Sequence, residues 1–221
     1  MPRPPIAFGL LRRRELILPT WSGWLVLALL SAAGARVFLA WVQPFLAVEA
    51  PLGGDVLVVE GWIPDYALRE ALREFRAHAY SRLITTGGPV PEGMAFSYQG
   101  DYARLAAASL VEFGLSPDSI VAAPSSAVRK DRTYAEGKAV AAWMQREGRV
   151  CRTLDLFSFS THARRSRLLY QLALGPATRV GVFAPRALDY DPRRWWVSSS
   201  GVRQVTDEWF AYLYAKIAFR E

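Results

Sequence analysis

The apolar stretch from Trp21 to Val42 restricts what this chain can fold into more than any other feature. Gly23 to Ala35 carries no charge, and after Arg36 the apolar character resumes from Val37 to Val42. A run of about 20 residues rising ~1.5 Å each matches a hydrocarbon core ~30 Å thick. Trp21, Trp24 and Trp41 stand near its ends, where amphipathic rings prefer the headgroup level. Arg36 lies in the last third of the run, from which a guanidinium can snorkel outward. A cleaved signal peptide and the buried helix of a soluble protein are the rival readings. No small-x-small cleavage site leads to a polar mature start, because Val37 to Val48 stays mostly apolar. The sequence therefore reads as a basic tail (1–20), a transmembrane helix (21–42) and a following domain (50–221).

The flanks predict orientation. The tail holds Arg3, Arg12, Arg13 and Arg14 against Glu15, so the positive-inside rule keeps the N-terminus cytoplasmic and exports the chain beyond residue 48. In a two-membrane bacterium the expected place is the inner membrane, with the main domain in the periplasm. The tail and Arg36 also account for four of the seven net positive charges. The basic balance thus reports topology, and nucleic acid is not an expected partner. The remaining residues make one domain of ordinary size with a substantial core. A single cysteine, Cys151, excludes an internal disulfide and reads as a small buried residue. With His78 and His162 the only histidines, a dedicated zinc site is not expected.

Past the apolar run, strand and helix patterns alternate. Continuous apolar runs predict strands over 55–60, 82–86, 119–123, 153–159 and 179–184. Helical spacing predicts helices over 65–79, 98–113, 132–147, 163–174 and 206–219, several stopped by a glycine. Such alternation calls for a parallel sheet covered on both faces, a three-layer, Rossmann-like α/β domain whose strand order the pattern leaves open.

In open α/β sheets ligands bind beyond the carboxyl ends of the strands. That rule selects Glu60-Gly61-Trp62, Thr86-Gly87-Gly88, Ser125 to Thr133, Ser160 to Arg165, and Ala184-Pro185-Arg186. These segments offer Arg129, Lys130, Arg132, Arg164 and Arg165 with the hydroxyls of Thr133, Ser160 and Thr161. Guanidinium forks and helix N-terminal amides bind phosphate and pyrophosphate, and glycines such as Gly61, Gly87 and Gly88 admit close backbone approach. His162 opens a helix directly after a strand and is the natural proton donor or acceptor there. Glu136, one turn into its helix, reaches the crevice floor or serves the helix N-terminus. The plainer readings are a solvated charged loop for 129–132 and a capping or core role for His162. Glu60 and Asp65 flank the first glycine turn, where a divalent cation is a minor alternative to a helix start. Arg193-Arg194-Trp195-Trp196, with Trp209, Phe210, Tyr212 and Tyr214, offers either a membrane-facing edge or core aromatics. The Gly-x-Gly-x-x-Gly fingerprint is absent, so no nicotinamide or flavin cofactor is implied.

The ordered set of motifs resembles the bacterial envelope family typified by YdcF, SanA and ElyC. The residues that carry the resemblance are Val56 to Gly61, Arg69, Thr86-Gly87-Gly88, Thr133 with Glu136, and His162-Ala163-Arg164-Arg165. The match runs over roughly residues 53–185. Trp62 after Gly61, Arg132 before Thr133, and Tyr102 beside Asp101 depart from the pattern and predict a more basic, more aromatic crevice. The resemblance implies a membrane-anchored Rossmann-like domain serving envelope biogenesis.

The expected activity is hydrolysis or transfer at phosphorus on a lipid-linked, polyprenyl-type saccharide, with His162, Arg165 and Glu136 in catalysis. Gly61, Arg69, Thr86, Gly87, Gly88, Arg129, Lys130, Arg132, Thr133, Ser160, Thr161 and Arg164 would bind the substrate. A non-catalytic module that senses a nucleotide-like or lipid-phosphate ligand fits the same crevice. A scaffold for envelope-assembly proteins is the third reading and rests on Trp195-Trp196.

Overall fold

The computed structural model of the chain describes residues 18–91, 93 and 100–220. The basic tail residues Arg3, Arg12, Arg13, Arg14 and Glu15, and the helix start expected at Tyr98, lie outside them. The chain divides into two compact units, residues 1–39 and 40–221.

Helix α1, Trp21–Leu46, is long and apolar enough to cross a membrane. It runs through Pro44 and beyond the expected end at Val42. Its last residues, 40–46, belong to the second unit, where Val42, Gln43 and Leu46 are buried.

In that unit β1 (Val56–Glu60), β2 (Arg82–Gly87), β3 (Ile120–Pro124), β4 (Thr153–Phe157) and β5 (Arg179–Phe183) form one parallel sheet in the order β3-β2-β1-β4-β5. Between and after the strands come α2 (Asp65–Ala77), α3 (Tyr102–Glu112), α4 (Arg132–Arg146), α5 (Ala163–Leu174) and α6 (Ser199–Ile217). This is the three-layer α/β architecture that the alternating pattern predicts.

Side chains alternate across each strand, so one sequence serves two cores. Val56, Val58, Ile84, Leu154, Leu156 and Val182 face α4 and α5, packing on Val140, Trp143 and Tyr170. Leu57, Val59 and Leu83 face α2 and α3, packing on Leu68, Leu72, Ala106 and Leu110. Burial on both faces is why the strand sequences read as unbroken apolar runs.

Asp155 breaks that run inside β4. It is fully buried and accepts from the Leu52 and Gly54 amides at 2.7 and 2.8 Å and from the Tyr80 hydroxyl at 3.1 Å. Those bonds tie the segment entering β1 to the centre of the sheet. Gly181 on β5 makes room, since a Cβ there would lie 1.9 Å from Asp155 Oδ1.

Several boundaries differ from the expected ones. Helix α3 starts at Tyr102, where Asp101 caps it by accepting from the Arg104 amide at 2.8 Å. Strand β4 ends at Phe157, and a single tight turn, Ser160–His162, leads into α5. Helix α6 starts at Ser199 instead of 206, capped by Ser198, whose hydroxyl accepts from the Gly201 amide at 3.1 Å. The Ser-Ser-Ser-Gly run has poor helix propensity, and the cap overrides it. In the turn Pro192–Val197, Trp195 is buried and packs edge-on against Trp196 at 6.0 Å. That burial removes the exposed Trp pair on which the scaffold reading rests.

Candidate functional site

The chain runs β1, β2, β3 outward and then returns to lay β4 beside β1 on the other side. The strand order therefore reverses between β1 and β4, and the crevice outside their carboxyl ends is the expected ligand position. Glu60 ends β1, and the segment from Ser158 to His162 follows β4. A cavity of about 920 Å³ opens there.

Eight of the expected residues line it: Gly88, Arg129, Lys130, Arg132, Thr133, Glu136, His162 and Arg165. The loop 126–131 forms one wall, and the N-terminus of α4 opens onto the space through Asp131, Arg132 and Thr133. A helix N-terminus beside three cationic side chains favours an anion. Among the described residues two non-glycine residues adopt left-handed backbone, Asp131 at φ 58° and Ser160 at φ 44°. Each sits immediately before a segment that supplies the site, so both sharp turns serve to aim it. Such conformations are uncommon and are held only where the surroundings over-determine them.

At the cavity's inner end His162 is clamped by side chains from three elements. Its Nδ1 lies 2.7 Å from Glu208 Oε1, on α6. A carboxylate only accepts, so this contact asks Nδ1 to carry a proton, while a terminal nitrogen of Arg165, which only donates, lies 2.9 Å from the same Nδ1. Nε2 lies 3.9 Å from Glu60 Oε1. Arg165 forks onto the same Glu208, with Nε 2.9 Å from Oε2 and a terminal nitrogen 3.0 Å from Oε1. The Trp62 ring stands edge-on to the imidazole at 4.9 Å.

Three carboxylates share this region, Glu60 and Glu136 buried and Glu208 half-buried. Burial would raise Glu208, but His162 and Arg165 outweigh it and hold its pKa at about 2. Burial and the neighbouring Glu60 push Glu136 up to about 8 against the pull of Arg132 and Arg165. Glu136 is 5% exposed and its Oε2 has no hydrogen-bond partner among the described residues. Glu60 is fully buried, accepting from Ser158 Oγ at 2.6 Å and Ser166 Oγ at 2.7 Å. Thr86 Oγ1 and the Tyr170 hydroxyl are also buried without a hydrogen-bond partner among the described residues.

The other expected residues fall elsewhere. Arg164 follows the helix ~100° away from Arg165 and so points off the crevice. Its guanidinium lies 3.9 Å from the Phe45 ring centroid, and its Nε donates to the Phe45 carbonyl. Arg69 is exposed on α2, stacked 3.5 Å over the Phe113 ring. Gly61 and Gly87 meet backbone and not ligand space: a Cβ on Gly61 would lie 2.3 Å from the Tyr102 carbonyl oxygen, and one on Gly87 2.6 Å from Tyr102 Cβ. Both glycines let the first turn of α3 sit on the strand ends. Ser160, Thr161 and Thr86 are buried behind the cavity, and the Ser160 hydroxyl pairs with Tyr190 at 3.2 Å. Asp65 is exposed at the start of α2 while both Glu60 oxygens are occupied, so the two do not form a cation site. Among the described residues no group of three or more His, Cys, Asp or Glu side chains could hold a metal ion.

Glu208, which lines the cavity and pairs with His162, is a residue that motif reading misses. Its signal is a carboxylate on the inward face of α6, one turn from buried Val205 and two from buried Gly201 and Ala215. Leu169, Ala211, Ala215 and Phe219 add an apolar wall that no motif marks. No family model matches this chain, and no curated protein matches it.

Proposed function

We propose that this chain is a membrane-anchored envelope-biogenesis protein that hydrolyses or transfers a phosphoryl group on a polyprenyl-linked saccharide. One observation carries the reading: His162, oriented by Glu208, shares a cavity with Arg129, Lys130, Arg132 and Arg165 at the sheet's reversal point. In this reading α1 is the anchor, the N-terminus is cytoplasmic and residues 50–221 act outside the cytoplasm. The resemblance to the YdcF, SanA and ElyC family agrees with that placement.

The cations would neutralise the phosphate oxygens, and the start of α4 would point its amides at them. A water or acceptor hydroxyl then attacks phosphorus; the new P–O bond forms as the bond to the leaving oxygen breaks. His162 Nε2 takes the proton from the attacking oxygen, and the Glu208 carboxylate stabilises the imidazolium. Glu136, protonated near neutral pH, would donate a hydrogen bond to a phosphate or leaving oxygen. The apolar wall beside the cations suits a ligand with both a charged and an apolar part.

The test is phosphate release and ligand binding by the full chain in nanodiscs, using a polyprenyl diphosphate saccharide. Turnover that is lost in folded His162→Ala and Glu208→Ala variants supports the reading. Saturable binding without turnover would make the protein a ligand-binding module, and neither binding nor turnover would overturn the proposal.

A further inference from the structure

Among the described residues, none covers the outward face of α6. Phe210 and Ile217, at i and i+7, are 68% and 79% exposed on a helix whose opposite face buries Gly201, Val205 and Ala215, and Tyr214 between them, 50% exposed, also lines the cavity. Arg203, Lys216 and Arg220 are exposed around this stripe, with one acidic side chain, Asp207, among them. Large aromatic and aliphatic side chains flanked by cations compose a surface for the water–lipid boundary.

Where that stripe sits is set by connectivity. Trp41 and Phe45, in the last turns of α1, pack edge-on against Trp209 with centroids 6.0 Å away, and Phe45 meets Tyr212 at 5.5 Å. Arg164 stacks on Phe45 from the α5 side. Trp41 comes two residues after the apolar unit that ends at Leu39, at most ~8 Å of chain. Trp209 therefore packs on the residues that directly follow Leu39, the end of the span in the reading that α1 crosses the bilayer.

We propose that α6 rests on the membrane, Phe210 and Ile217 inserted among the lipid headgroups, Tyr214 between them at the cavity's edge, and Arg203, Lys216 and Arg220 meeting anionic lipid. This goes beyond the proposed reaction and rests on α1 spanning the bilayer. Its consequence reaches the site, because Glu208 and the cavity-lining Ala211 and Ala215 are on the same helix. The lipid surface and the orientation of His162 are thereby coupled through one rigid element.

The test uses the full chain in nanodiscs of phosphatidylethanolamine and phosphatidylglycerol, in a Cys151→Ser background. A nitroxide is placed through Phe210→Cys, Ile217→Cys, Leu29→Cys in α1, or Val150→Cys, a position 90% exposed. Collision with oxygen and with a water-soluble nickel chelate is then measured for each. The labels at 210 and 217 should be open to oxygen and several-fold less open to nickel than the label at 150. Nickel access equal to that at 150 would overturn the proposal, as would shielding from both reagents, which marks a protein partner such as a second copy. The label at 29 separates the failures. If it too is open to nickel, the spanning reading falls along with the proposal; if it alone is lipid-shielded, only the α6 contact fails.

Discussion

His162 Nδ1 lies 2.7 Å from Glu208 Oε1, across forty-six residues of chain. The same carboxylate takes two hydrogen bonds from Arg165, so one acidic side chain on α6 fixes both the imidazole and the guanidinium. If the imidazole moves protons in the reaction, Glu208→Ala should lower turnover by about 10²–10⁴, as His162→Ala does. The double variant should be little worse than either single one, because residues acting as a unit are not additive. Steady-state kinetics of the three folded variants would measure this.

Glu136 makes stability depend on pH. Its carboxyl is raised from 4.5 to about 8, so the folded state binds the extra proton between those values. Stability should therefore fall as pH rises from about 4.5 and level off above about 8, by a few kcal/mol. Glu208, depressed to about 2, acts in the opposite sense: its contribution is present above 4.5 and lost as pH falls toward 2. Urea unfolding of Glu136→Gln should show a flatter profile between pH 5 and 8 than the parent chain.

Two neighbouring glycines should respond differently. Gly61→Ala would drive a methyl to 2.3 Å from the Tyr102 backbone and should destabilise the fold by about 1–3 kcal/mol or more. Gly88→Ala meets only Ser125 Oγ, at 3.5 Å, and should leave thermal stability nearly unchanged while weakening ligand binding in the cavity it lines. Melting curves and a binding isotherm for each would separate packing from ligand approach.

Asp155→Ala would strip the acceptor from two amides and leave the Tyr80 hydroxyl only Glu74 Oε1, at 3.2 Å. Buried unsatisfied groups cost about 1–3 kcal/mol each, so a loss of about 3 kcal/mol or more is expected in urea unfolding. Hydrogen exchange at Leu52 and Gly54 should rise in the same variant.

A fragment starting at residue 50 should be less stable than one starting at 40. It lacks Val42 and Leu46, which are 1% and 0% exposed in the α/β unit. Burying such side chains is worth about 1.5–3 kcal/mol each, and the paired fragments' unfolding midpoints would show the difference.

The amino-acid order by itself determined the class of fold. Local periodicity is enough to separate helices from strands, and the unbroken apolar runs at Val56–Val59 and Leu154–Leu156 already require cover on two faces. It also marked the strand ends as the place for chemistry, which brought Arg129, Lys130, Arg132, Glu136, His162 and Arg165 into view. Tertiary structure decided the rest, because strand order is set by long-range pairing that leaves no local trace. Only the β1–β4 adjacency puts Glu60 beside His162, and only the packing of α6 brings Glu208 to the imidazole. The ~100° step between neighbours on α5 chose Arg165 for the crevice and sent Arg164 to Phe45. Gly61 and Gly87 have the composition of a ligand turn, yet the space they leave is filled by the first turn of α3. A residue type and its spacing say what a side chain can do; what it meets depends on chain brought in from far along the sequence.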